Sequence, residues 1–394
     1  MKVIVIGGGA SGMICAIRLA RRGKNVEILE KNSSVCRKVL ITGSGKCNYF
    51  NSDMSINHYR SSNNYLLDKI INEENINKVL DFFKSIGVVP RIKNGYYYPY
   101  SNTSTTIKNL LLLECKKLNI KITTDIIVTD IIKNNNFIIK TNKQDITCDK
   151  VVISTGSMAS IKDEYNGYKI LEKLGHKVIK PLPALVMLEG FENFYKDWAG
   201  IRCDVSVNLY ENDKFIDKQI GEVQLTNYGI SGICVMNLSG RVSRIIDNKN
   251  KASLRINFIP FVDNGYKYLE ERSNLNMTII EMLESVINYK LLYVILKKCN
   301  INSNLTWNEL NDKQKKILVG NIFSFKFDIK NTKGFLNSQV VSGGARLDEL
   351  TNNLESKLIK GLYVTGELLD VDGDCGGYNL GFAWISGIIV GDNL

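Results

Sequence analysis

Two histidines, five prolines and no Cys-x-x-Cys pair leave this 394-residue chain little from which to build a metal centre. A structural zinc site needs clustered Cys and His ligands. Here nine cysteines stand far apart, at 15, 36, 47, 115, 148, 203, 234, 299 and 375. Their odd number and scatter also argue against a disulfide framework, so most are expected as small core residues. Cys47 and Cys375 differ, because both sit in glycine-rich loops. Long apolar runs are missing as well. A membrane span needs ~20 apolar residues, and the late run from Phe382 to Val390 is broken by Ser386 and Gly387. With an apolar strand from Val3, no secretion leader is expected, and the expected location is the cytoplasm. Basic blocks are absent too. The net charge is +11, but the lysines are dispersed among Asn, Ile and Asp. Nucleic acid and membrane are therefore not the expected partners, and the charge suits an anionic small ligand.

What is present starts at the first residues. Val3-Ile4-Val5-Ile6 runs into Gly7-Gly8-Gly9-Ala10-Ser11-Gly12, and Met13, Ile14, Ala16, Ile17 and Leu19 follow at helical spacing. Val26-Glu27-Ile28-Leu29 then ends on Glu30. Strand, glycine turn, helix, strand and acid make the dinucleotide-binding βαβ pattern. In it Gly7 permits the tight turn, Gly9 lets backbone approach a pyrophosphate, and Gly12 lets helix and strand pack closely. Ala10 and Ser11 open a helix whose amino end attracts phosphate. Glu30 is placed to accept from a ribose hydroxyl.

The next stretch imitates a phosphate loop and fails. Thr42-Gly43-Ser44-Gly45-Lys46-Cys47-Asn48 has Cys47 where Ser or Thr is required, and the first glycine is absent. A flexible loop remains, with Arg37, Lys38 and Lys46 near glycines, suited to an extended anionic cofactor. Further on, one helix is expected over 65–86 and another over 104–117. Residues 120–122, 126–128 and 137–139 read as a β-meander. Tyr96, Tyr97, Tyr98 and Tyr100 read as packing in a strand or turn. Lys150 to Ile153 then breaks on Ser154-Thr155-Gly156, a second βα junction that favours FAD over NAD as the held cofactor. Pro181 and Pro183 mark a boundary. Beyond it, residues 185–260 read as strands of a sheet or barrel, and 266–320 as helices, clearest at 277–287 and 291–298. His58 and His176 read as turn or helix-end residues.

The closing segment repeats the theme. A strand leads into Gly366-Glu367, and Asp370, Asp372 and Asp374 follow at a spacing that imitates a calcium loop. Cys375 and Gly381 stand where that loop needs Gly and Glu. The better reading is a second cofactor loop feeding a helix amino end through Gly377, Tyr378, Asn379 and Leu380. That end is able to stabilise negative charge at the flavin N1–C2=O edge, with Glu367 meeting ribityl hydroxyls.

The strings at 7–12, 38–48, 154–156, 229–232, 341–345 and 361–380 together resemble FAD-dependent flavoproteins that include aminoacetone oxidases and 3-dehydro-bile-acid reductases. The resemblance implies an α/β fold: a Rossmann-like FAD-binding domain, of the two-dinucleotide-binding-domain flavoprotein type, interrupted by an inserted β-barrel plus helices. It implies FAD segments at about 1–185 and 336–394 and an insert at about 186–335, with barrel strands near 186–262 and 322–335. Implied FAD contacts are Gly7, Gly9, Ala10, Ser11, Gly12, Glu30, Lys31, Arg37, Lys38, Thr42, Gly45, Lys46, Cys47, Asn48, Ile127, Thr155, Gly156, Gly366, Glu367, Asp374, Gly377, Tyr378, Asn379 and Leu380. Cys36 and Ser157 depart from the family, which usually has glycine at both places. The expected activity is FAD-dependent oxidation–reduction: hydride from a transient NAD(P)H passing through flavin N5 to an activated C=C bond of a small molecule. An oxygen-using amine oxidase and a non-catalytic FAD protein are the alternatives. Neither an acid nor a base is assigned, with Cys375 the boldest candidate.

Overall fold

A computed structural model describes residues 1–160 and 167–394. Contacts divide the chain into two units, Met1–Pro181 with Val340–Leu394, and Leu182–Gln339. The first begins with β1 (Lys2–Ile6), α1 (Ala10–Arg21) and β2 (Asn25–Leu29), followed by α2 (Arg37–Ile41), β3 (Phe50–Asn51) and β4 (Tyr59–Arg60). Helices α3 (Asn64–Ile70) and α4 (Glu73–Ser85) precede the hairpin β5 (Pro90–Lys93) and β6 (Tyr96–Pro99). Then come α5 (Ser104–Lys117), β7 (Lys121–Thr123), β8 (Val128–Lys133), β9 (Phe137–Thr141), β10 (Ile146–Cys148), β11 (Lys150–Ile153) and α6 (Gly167–Lys173).

The single helix expected over 65–86 is two. The Asn72 side chain accepts from the Asn75 N–H and caps α4, so the chain restarts where an unbroken apolar pattern reads as continuous. The expected meander is also corrected. Residues 121–123 form the parallel edge strand β7 beside β2, and only β8, β9 and β10 make an antiparallel sheet. Short apolar runs do not reveal whether they pair locally or across the fold.

The chain enters Leu182–Gln339 within strand β12 (Val178–Ala184), which contains both Pro181 and Pro183. It holds β13 (Leu188–Gly190), α7 (Tyr195–Trp198), β14 (Arg202–Glu211), β15 (Lys214–Thr226), β16 (Gly229–Ser231), α8 (Ile233–Asp247) and β17 (Ala252–Asn257). Helices α9 (Gly265–Arg272), α10 (Ile279–Leu283), α11 (Tyr289–Cys299) and α12 (Asp312–Phe323) lead to β18 (Phe325–Thr332). Six of these strands close a barrel in the order β13, β16, β15, β14, β17, β18. Alternation along β18 buries Phe325, Phe327 and Ile329 and exposes Lys326, Asp328 and Lys330. One stretch read as strands is corrected: residues 233–247 are helix α8. Its buried Cys234, Val235, Leu238, Val242 and Ile245 recur at helical spacing, a signal present in the sequence and overridden by its β-branched neighbours. The helix expected over 277–287 contracts to α10.

The chain closes the first unit with β19 (Val340–Ala345), β20 (Leu362–Val364), β21 (Asp372–Gly373) and α13 (Tyr378–Asn393). The central sheet is parallel in the order β20, β11, β1, β2, β7, so its middle strand β1 is buried and wholly apolar from Val3 to Ile6. Helix α13 packs on α1 through missing side chains. A Cβ on Gly387 would lie 2.4 Å from the Ser11 carbonyl oxygen, and one on Gly391 would lie 2.4 Å from Arg18 Cβ. Gly387→Ala therefore pushes two helices apart or bends one. We expect it to cost about 1–3 kcal/mol, as overpacked cores do, read as a lower thermal midpoint of the intact protein.

Candidate functional site

Every residue expected at a cofactor lies in the first unit. At its nucleotide end the chain turns sharply after β1. Gly7 has φ +107°, and a Cβ there would stand 2.3 Å from the Ser154 carbonyl oxygen. A Cβ on Gly12 would stand 2.0 Å from the Gly7 oxygen. Packing within the chain explains both glycines. It does not explain Gly9, whose φ is −81° and whose added Cβ would meet no atom within 4 Å. Gly9 opens α1 with no side-chain cap. An uncapped helix amino end fronted by a bare backbone is the cradle a pyrophosphate fills.

Glu30 follows β2 and is almost buried. Its Oε2 accepts from the Gly8 N–H at 2.8 Å, and its Oε1 from the Asn32 N–H at 2.9 Å and Asn32 Nδ2 at 2.5 Å. A carboxylate has about four acceptor positions, so capacity remains for a ribose hydroxyl. Arg37 Nη1 donates to Asn32 Oδ1 at 2.5 Å, tying the next basic residue to the same turn, while Lys31 is exposed. Ile127 stands near this end. Asn142 takes its N–H at 2.9 Å and its carbonyl at 3.0 Å, which leaves its 46% exposed side chain as the free part. Gly156 has φ +70° with open space beyond, beside Thr155.

The other end is built from both termini. Lys38 Nζ meets Glu367 Oε2 at 2.5 Å across 329 residues of sequence. The second oxygen of Glu367, Oε1, is buried without a hydrogen-bond partner, and so is Asn48 Oδ1. An unpaired buried acceptor costs about 1–3 kcal/mol, so both atoms mark where a ligand's donors belong. Asn48 Oδ1 lies 2.9 Å from where a Cβ on Gly377 would stand, at the uncapped amino end of α13. Between them runs a left-handed stretch: Gly43, Ser44, Gly45 and Cys47 all have φ between 54° and 82°. Non-glycine residues rarely hold that conformation, and Ser44 and Cys47 mark stored strain. Thr42 Oγ1 donates to the Val39 carbonyl at 2.7 Å and its own carbonyl accepts from Cys47 at 3.0 Å, while Lys46 is exposed. Burial pushes the Cys47 thiol up to about 12. Gly366 lies against Ser11, whose Oγ would be 2.4 Å from a Cβ there.

Three of the expected cofactor residues also have partners within the chain. Asn379 clamps the preceding loop: its Oδ1 accepts from Gly373 N at 2.8 Å and its Nδ2 donates to the Gly373 and Asp374 carbonyls. Asp374 pairs with Arg60 and meets His58 Nδ1 at 3.1 Å. Tyr378 stacks on His58 with ring centroids 4.3 Å apart, and its carbonyl accepts from Tyr59 at 3.0 Å. Leu380 is half-buried on the first turn of α13. These charges hold the loop before α13.

His58, Arg60 and Asp53 carry no local motif, and only the pairing of β4 with β21 brings them to Asp372 and Asp374. Burial pushes the Asp372 carboxyl up to about 6; Arg60 and a hydrogen bond from Ser342 oppose this, and Asp370 and Asp374 add to it. Burial pulls the His58 imidazole down, but Asp53 at 3.0 Å and Asp374 outweigh it and raise it above its ordinary 6.5. Burial lifts the Cys375 thiol to about 12, so it stays a neutral thiol at pH 7. His176 is structural, held between Glu349 at 2.9 Å and Ser356 at 2.8 Å.

Residues 1–393 match the family described as HI0933-like protein Rossmann domain. The chain is 32% identical to a 3-dehydro-bile acid delta(4,6)-reductase of Clostridium scindens, over 99% of this chain and 98% of that protein. It is 26% identical to a ribosomal RNA dihydrouridine synthase of Haemophilus influenzae, over 97% and 96% of the two chains. The Escherichia coli protein of that name is 25% identical, over 97% and 95%. The chain belongs to the HI0933-like family, and it is an FAD-dependent oxidoreductase. The cradle at Gly9 and the two orphan acceptors fit that cofactor.

Two outcomes follow from this geometry. Gly9→Ala meets no clash within the chain, so the FAD-stripped variant melts within about 1 kcal/mol of the stripped parent. Its FAD affinity falls at least about tenfold, or 1.4 kcal/mol, in a fluorescence titration. The second concerns His58. Its raised folded value makes its stabilisation complete below 6.5 and lost as pH rises through the folded value. The melting deficit of His58→Asn is therefore larger at pH 5.5 than at pH 8.5.

Proposed function

We propose that this member of the HI0933-like family oxidises NAD(P)H and uses the electrons to saturate a C=C bond conjugated to a carbonyl in a small organic acceptor. The reading is carried by the 32% identical relative named as a delta(4,6)-reductase of a 3-dehydro bile acid. The names of the two dihydrouridine synthases describe the same kind of step, hydrogen added across a conjugated C=C. FAD, when bound, supplies the two-electron chemistry, and the protein supplies position and electrostatics.

The chain's own share is mostly binding. The amino end of α1 with Gly9 would hold the pyrophosphate, and Glu30 would accept from the adenosine ribose. Glu367 and Asn48 offer their unpaired oxygens to hydroxyl or ring N–H donors. The uncapped amino end of α13 would stabilise negative charge developing on a flavin held there. A dithiol relay is not part of this reading, since none of the nine cysteines is in a disulfide and Cys375 is neutral. Free thiols fit a cytoplasmic location, and no helix among the described residues is long and apolar enough to cross a membrane. The nicotinamide visits transiently, because the sequence holds one Gly-x-Gly-x-x-Gly turn.

Anaerobic mixing with NADH and then NADPH tests the reading. We expect one of them to bleach the bound flavin, and a stoichiometric steroid 4,6-dien-3-one to restore its colour. Flavin that both nicotinamides leave oxidised, but small amines bleach, would overturn it in favour of an amine oxidase.

A further inference from the structure

We infer that His58 is a positioning residue for the flavin: its ring binds a proton as the cofactor gains negative charge and releases it on reoxidation. This rests on the proposed placement of FAD at the amino end of α13. The geometry around the ring carries it. Nδ1 is 3.1 Å from Asp374 Oδ2, and Nε2 is 3.0 Å from Asp53 Oδ2. Ionised carboxylates only accept, and a neutral imidazole carries one N–H, so only the doubly protonated ring satisfies both contacts. The ring also lies on that of Tyr378, 4.3 Å away and tilted by 20°, and a cation is favoured over a tyrosine face.

That charge stands at the wrong end of a helix. Tyr378 is the first residue of α13, whose amino end has no side-chain cap, and helix amino ends repel cations. Asp53 and Asp374 offset the repulsion only in part. Asp374 is shared with Arg60, and the Asp53 side chain is 65% exposed. A negative charge arriving before α13 removes the conflict and holds the proton more tightly. The elements packed around the ring bring further charged and titratable groups. Tyr59 and Arg60 lie on β4 and Asp372 on β21, while the Tyr96 ring of β6 is 2.9 Å from where a Cβ on Gly376 would stand. Asp372, whose carboxyl burial pushes up to about 6, is the rival proton site.

Charge and atoms balance. Hydride from NAD(P)H brings two electrons and one proton to the cofactor and leaves one negative charge. A neutral His58 then takes one proton from water, which reaches its 29% exposed side chain. The site as a whole gains no charge. When the acceptor removes the hydride, that proton returns to water. Asp53 and Asp374 raise the folded value above the ordinary 6.5. Below that value the ring is already charged and favours reduction without uptake. As pH rises through it, each reduction draws a proton, and well above it the ring stays neutral throughout.

The test follows the reduction potential of the FAD-loaded protein from pH 5.5 to 9.5, by equilibration with a reference dye under a chemical reductant. The parent's potential is expected to bend, falling more steeply with pH where His58 takes up its proton. His58→Asn loses the bend. Its flavin is about tenfold harder to reduce than the parent's at pH 6, or about 30 mV for two electrons, and near the parent's at pH 9. His58→Arg keeps a planar charge beside Tyr378 and also loses the bend, but it matches the parent at pH 6 and is about tenfold easier to reduce at pH 9. A residue that only holds the loop would shift each variant equally at every pH, and that result would overturn the proposal. So would a bend that survives in His58→Arg, because it would belong to Asp372. Flavin absorbance reports loading of each variant. Since the reductant is chemical, bleaching by NAD(P)H on the same samples judges the reductase reading separately.

Discussion

Four backbone approaches around Ser11 hold this molecule's active half together, and each depends on a missing side chain. Gly12 touches Gly7, Gly7 touches Ser154, Gly366 sits under the Ser11 hydroxyl, and Gly387 sits on the Ser11 carbonyl. Strand β1, the junction after β11, the turn after β20 and helix α13 therefore meet at one point. A methyl group at any of the four would move one of them, because interiors packed at crystal density have no slack to absorb it. From this contact everything else in the site takes its place. The amino ends of α1 and α13 belong to one unit, and Lys38 reaches Glu367.

A second layer of order is electrostatic. The loop before α13 carries three aspartates, and an isolated acidic run would repel itself. Arg60 on β4 neutralises Asp374 and approaches Asp372 at 3.9 Å, Ser62 donates twice to Asp370, and His58 bridges Asp53 and Asp374. Asn379 then ties the loop's backbone to the helix it feeds. These groups fix the direction in which α13 points its amino end. They act through position, while Asn48 and Glu367 present the unpaired acceptors.

Much of the site was legible because its glycines and acids are local. Gly7, Gly9 and Gly12 lie in one turn with Glu30 just after the next strand; close packing accounts for Gly7 and Gly12, and Glu30 accepts from the Gly8 and Asn32 N–H groups. Helix α5 and strand β11 matched their expected bounds, since apolar runs between polar residues mark them within a few residues. Helix α8 was misread because Val and Ile at helical spacing also fit strands. The partners of Asp374 and Asn379 were illegible for a different reason. A loop residue's chemistry shows in the sequence, but the partner that uses it up does not, and Arg60 lies 314 positions away.

By itself the sequence determined the family, the FAD cofactor and the strand–turn–helix units, because those rest on residue types at short, regular spacings. Only tertiary structure decided which acceptors remain unpaired, which aspartates are spent on Arg60 and His58, and which ring stacks on Tyr378. Those depend on pairings across tens to hundreds of residues. Burial and hydrogen bonding at such pairings are properties of the folded surface and not of any segment alone.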